Sequence, residues 1–89
     1  MLGKTSPQAV RAALFDALRD MGFQPEEKWL SVYKMPAPPV IYVVVADGAV
    51  RDKVAWILRD RVGHVEEGTP LGAWFLDERE AESLCEHTR

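Results

Sequence analysis

Seven consecutive uncharged residues, Val40-Ile41-Tyr42-Val43-Val44-Val45-Ala46, five of them β-branched, constrain this chain more than any other stretch. Pro38-Pro39 precedes the run and Asp47-Gly48 follows it. Such a run is too short for an ordinary helix and too apolar for a strand with one wet face, so it predicts an interior strand with both faces covered. The other segments are then placed by how they shield it from water.

Ahead of the run, Trp29-Leu30-Ser31-Val32-Tyr33-Lys34-Met35 alternates with period two. Leu30 and Val32 fall on one side, and Trp29, Ser31, Tyr33 and Met35 on the other. Lys34 and the prolines that follow mark an edge strand. The link between the two strands is too short for a crossover, which predicts an antiparallel hairpin.

Three amphipathic helices complete the inventory. The first opens at Ser6-Pro7, a capping hydroxyl followed by proline at the first helical position. Its apolar stripe is Val10, Ala13, Leu14, Ala17, Leu18 and Met21, with Phe15 beside it and half covered. Gly22 stops the helix, and Phe23 folds back onto Leu18. Asp47 caps the second helix, which buries Val50, Val54, Ile57 and Leu58 and ends at Gly63. Trp56 stands on its solvent side. After a polar stretch at 64–67 that suits a short extended piece, residues 71–76 form the third strand. Asp77 with Glu80 three positions on is a capping box for a last helix whose stripe is Ala81, Leu84 and Cys85.

The predicted fold class is therefore α+β, in the order helix, strand, strand, helix, strand, helix. It is a two-layer sandwich over a three-stranded mixed sheet, with strands 29–35, 40–46 and 71–76 side by side. Pairing 40–46 parallel to 71–76 follows from the rule that a strand–helix–strand connection closes as a right-handed crossover. This element order resembles a ferredoxin-like unit lacking its first strand, a likeness of order alone that transfers no function. All 89 residues form one small domain, with residues 1–5 a loose lead-in.

Residue types narrow the chemistry. A single cysteine, Cys85, allows no intramolecular disulfide and no zinc site built on two thiolates, which fits a reducing cytoplasm. A formal charge of −3 argues against general attraction to phosphate backbones. The chain has no asparagine, and arginine outnumbers lysine by seven to four, a bias that either a GC-rich genome or growth at high temperature would produce. The longest apolar run is far short of the roughly 20 residues that cross a bilayer. No phosphate-binding glycine loop, nucleophile elbow or paired histidine ligands occur. His64 reads as the residue after a helix stop, and His87 as part of a terminal turn. Glu66-Glu67 and the Glu78, Glu80, Glu82 series read as solvated acids, and Cys85 as a core residue. No catalytic residue, cofactor or metal is expected.

What remains is aromatic surface. Helices on one face of three strands leave the other to Trp29, Tyr33, one of Trp74 or Phe75, and either Tyr42 with Val44 or Ile41 with Val43 and Val45, more apolar area than a soluble monomer ordinarily shows. Together with Trp56, the expected interface residues are Trp29, Tyr33, Tyr42, Trp56 and Trp74, and the expected partner is a second copy. A single-stranded nucleic acid stacked on the same rings is the alternative. A small enzyme with a His64–carboxylate pair is a third.

Overall fold

The computed structural model describes residues 6–36, 39–63, 66–68 and 72–87. The lead-in at 1–5, His64, and the start of the third predicted strand at Leu71 lie outside the described residues. In chain order come α1 (Pro7–Asp20), a short 3-10 turn (Glu27–Trp29), β1 (Leu30–Pro36), β2 (Pro39–Val45), α2 (Gly48–Val62), β3 (Glu66–Gly68), β4 (Gly72–Leu76) and α3 (Glu78–His87).

The helix ends follow local chemistry. Ser6 Oγ accepts from the Ala9 amide at 3.1 Å, and Asp47 Oδ1 from the Ala49 amide at 2.8 Å. At α3 the capping box is reciprocal: the Glu80 amide donates to Asp77 Oδ1 at 2.8 Å, and the Asp77 amide donates to Glu80 Oε1 at 3.0 Å. Each side chain satisfies a backbone donor that the first turn leaves without an intrahelical partner. Gly22 adopts φ +96° after α1, where the Phe23 amide donates back to the Leu18 carbonyl at 3.0 Å. That is the Schellman ending, which a β-carbon would strain.

All three helices pack on one face of the sheet. Val10, Leu14 and Leu18 of α1, Val54, Ile57 and Leu58 of α2, and Ala81 and Leu84 of α3 meet Leu30, Ile41, Val43, Val45, Trp74 and Leu76 in a single core. Among the described residues no polar or charged side chain is buried.

The sheet departs from expectation in two ways. It has four strands, not three, in the order β1-β2-β4-β3. Every neighbouring pair is antiparallel, so the sheet is not mixed and 40–46 does not run parallel to 71–76. The chain leaving β2 through α2 reaches β3 at the far edge and then turns back as β4 into the gap. Because β4 opposes both neighbours, β3 runs parallel to β2 with β4 between them, a split strand–helix–strand unit. The crossover rule holds for strands joined by the crossover; here it joins β2 to the short polar strand. The α+β class, the element order and the relative places of the three longer strands stand. In a ferredoxin-like sheet the first strand fills the middle slot beside the hairpin. Here β4 occupies that slot from the C-terminal side.

Phe15 is also more buried than the helical stripe implies, at 8% exposure. The Arg11 guanidinium lies over its ring at 4.5 Å. The same group donates to the Glu27 carbonyl at 2.8 Å and to the Leu30 carbonyl at 3.4 Å, tying α1 to the start of β1. Hydrogen bonds from a charged donor contribute about 1.5–3 kcal/mol each when well shielded, less at this partly exposed site. Arg11→Ala is expected to lower unfolding stability by roughly 1–3 kcal/mol in urea denaturation. Lysine should not restore it, since an ammonium lacks the planar fork that reaches two carbonyls and covers a ring.

Candidate functional site: an aromatic row on the open sheet face

The face of the sheet opposite the helices carries Ser31, Tyr33 and Met35 from β1, Val40, Tyr42 and Val44 from β2, and Ala73 and Phe75 from β4. Among the described residues no helix lies on it. Tyr33 is 53% and Met35 40% exposed, while Val40, Tyr42, Val44 and Phe75 are half-buried. The interior strand is thus fully covered on one side only: Ile41, Val43 and Val45 are buried, and the alternate set is left to its lateral neighbours.

Register sets the aromatic residues in line. Tyr33 opposes Tyr42, and Tyr42 opposes Phe75. The Tyr42 and Phe75 rings stack at 4.6 Å, 12° apart, whereas Tyr33 and Tyr42 are tilted at 6.5 Å. The ladder accounts for the difference. The Ala46 amide donates to the Trp29 carbonyl at 2.9 Å, so odd-numbered positions of β1 turn their backbone groups toward β2. By alternation Tyr33–Tyr42 is a hydrogen-bonded pair with wider Cα spacing, and Tyr42–Phe75 a non-hydrogen-bonded pair whose side chains stand closer.

Three expected interface residues lie off this row. Trp74 points into the core at 2% exposure, and Phe75 takes the open face. Trp29 sits in the 3-10 turn ahead of β1, partly buried against the core. Tyr33 lies on the open face, and Tyr42 joins it because Ile41, Val43 and Val45 are the set of β2 that faces the helices. Trp56, 52% exposed, stands on α2 and shares no surface with the row. Phe75 is the member that sequence reasoning left open, because alternation identifies two faces of β4 without saying which is inward.

Trp74 also explains Gly72. A β-carbon at Gly72 would lie 2.7 Å from Arg51 Cγ and 3.1 Å from Trp74 Cη2. The Arg51 guanidinium is 5.9 Å from the Trp74 ring, so the close approach at Gly72 lets the arginine stem cover the end of the indole.

Polar chemistry is sparse. No group of three His, Cys, Asp or Glu among the described residues could hold a metal ion. The Cys85 thiol is half-buried against the core. Burial pushes its pKa up, and the nearby Glu82 carboxylate pushes it further. The thiolate is the reactive form, so alkylation of Cys85 by iodoacetamide at pH 8 is expected to run several-fold slower than that of free cysteine and to speed up as pH rises. A rate equal to the free thiol would contradict the burial. No described helix is long and apolar enough to cross a membrane.

Comparison with family models, with curated proteins and with solved structures finds no match for this chain. The function is argued from geometry.

Proposed function

We propose that the domain is a self-associating assembly module that docks through its open sheet face, and that it works in a reducing cytoplasm, as its lone cysteine suggests. The observation that carries this is the in-register row Tyr33, Tyr42, Phe75, flanked by Met35, Val40 and Val44, on a face that no described helix covers. Tyrosine and phenylalanine bury large area at little cost in side-chain entropy, which is why aromatic residues are enriched at protein interfaces. A second copy presents the same surface and makes a self-complementary contact under two-fold symmetry.

The test is sedimentation equilibrium at micromolar concentration. The natural chain is expected to associate, and Tyr42→Glu, which puts a charge in the centre of the row, to remain folded by circular dichroism and sediment as a smaller species. A natural chain that is monomeric throughout the range removes the proposal. Stacking of single-stranded nucleic acid on the same rings is the second reading. It predicts salt-sensitive binding of a mixed oligonucleotide in fluorescence anisotropy. The described open face contributes no lysine or arginine to attract phosphates, which favours protein as the occupant.

A further inference from the structure

From the free edge of β1 we infer a second self-contact: β1 pairs antiparallel with β1 of another copy in a single register, Val32 opposite Lys34. It goes beyond the face-docking reading, because copies joined edge to edge lie side by side in one sheet and leave both open faces uncovered.

The unpaired groups of β1 select that register. Odd positions bond to β2, so Leu30, Val32, Lys34 and Pro36 direct their backbone groups to the outer edge. The Arg11 side chain confirms the direction, since its Nε reaches the Leu30 carbonyl from outside the sheet. That carbonyl is therefore engaged, and Pro36 has no N–H to give. Among the described residues, Val32 and Lys34 are the outward positions that offer both an N–H and a C=O. Facing these residues across a two-fold axis gives four ladder hydrogen bonds, two for each Val32–Lys34 pair. Leu30 then opposes Pro36, so the carbonyl already held by Arg11 meets the residue that cannot donate. Slipping the axis onto Lys34 sets two ammonium groups opposite one another and matches Val32 to the donorless proline. Slipping it onto Val32 brings the Lys34 amide against the carbonyl that Arg11 occupies. An open groove of about 570 Å³ along α1 and β1, lined in part by Gln8, Arg11 and Val32, leaves this edge accessible.

Area points the same way. Strands β1, β2 and β4 span only about 14 Å by roughly 20 Å of face at normal strand spacing. That falls well short of the ~800 Å² per partner of a standard stable interface. Edge pairing supplies hydrogen bonds of its own and, by placing Tyr33 beside Tyr33 of the second copy, enlarges the continuous face available for docking. The aromatic row then runs unbroken across both sheets as Phe75, Tyr42, Tyr33, Tyr33, Tyr42, Phe75.

Disulfide trapping tests the register in a Cys85→Ser background. At a non-hydrogen-bonded antiparallel pair the Cα atoms stand about 4.5 Å apart, within the roughly 4.4–6.8 Å that a disulfide spans. Tyr33→Cys is expected to form a covalent dimer on mild oxidation. Met35→Cys is not, because four residues of offset separate the two copies of position 35 by about 14 Å. Val32→Pro removes an outward donor without touching the β1–β2 ladder, and should weaken association of the natural chain about 30-fold while leaving the monomer folded. Equal trapping of both cysteines, or of neither, overturns the edge pairing. If neither traps while the natural chain still associates, the face-docking proposal survives alone; if the natural chain is also monomeric, both fail. An unchanged association constant for folded Val32→Pro likewise overturns the edge contact.

Discussion

Trp74→Ala is expected to lower the unfolding free energy by about 3–5 kcal/mol, the usual cost of deleting a buried tryptophan. Domains of this size have about 5–10 kcal/mol in total, so the variant should melt far below the natural chain. Its indole is 2% exposed and stands among Val43, the helix layer and the Arg51 stem. Tyr33→Ala, on the open side of the neighbouring strand, should change monomer stability by well under 1 kcal/mol. Urea denaturation of both variants with a constant m-value decides the matter. A Trp74 variant as stable as the natural chain but altered in association would return this residue to the interface.

Leu84→Ala should cost about 2–5 kcal/mol. Leu84 and Ala81 are fully buried on α3 and meet α1 and α2 as well as the sheet. Such a large loss from a residue on α3 is expected only if that helix completes the core. Were α3 instead a loosely attached tail, the substitution would lie within about 0.5 kcal/mol of neutral. Native-state hydrogen exchange gives an independent reading. Amides of α3 should be protected to nearly the same free energy as those of β2, and in Leu84→Ala that protection should fall together with the global stability rather than helix by helix. The same measurement bears on the open face, because a helix committed to the core on one side of the sheet cannot cover the other.

The local elements were legible in the sequence because their causes are local. A serine or aspartate before a 3.6-residue stripe, a glycine after it, and strict alternation along residues 30–35 each involve groups within one turn or one pleat of each other. Hence α1, α2, α3, β1 and β2 lie within a residue or two of their predicted bounds. The Asp77–Glu80 capping box formed in both directions. The short hairpin linker also fixed one tertiary fact, the antiparallel pairing of β1 with β2, because a chain of that length cannot run back to start a parallel strand.

Other features depended on groups distant in sequence, and only the tertiary structure decided them. Three residues at 66–68 have no periodicity to read, yet as β3 they receive the α2 crossover and turn β4 antiparallel to β2. Arg11 reads as a solvent-facing helix residue until two carbonyls from the start of β1 arrive beside it. Alternation along Ala73-Trp74-Phe75-Leu76 assigns Trp74 and Phe75 to opposite faces but supplies no sign. The sign came from register: Trp74 opposes Val43, which already faces the helices, and Phe75 opposes Tyr42, which does not. Side-chain period is an intrinsic property of a strand, whereas the direction of a face and the partner of an edge are set by whatever packs against them.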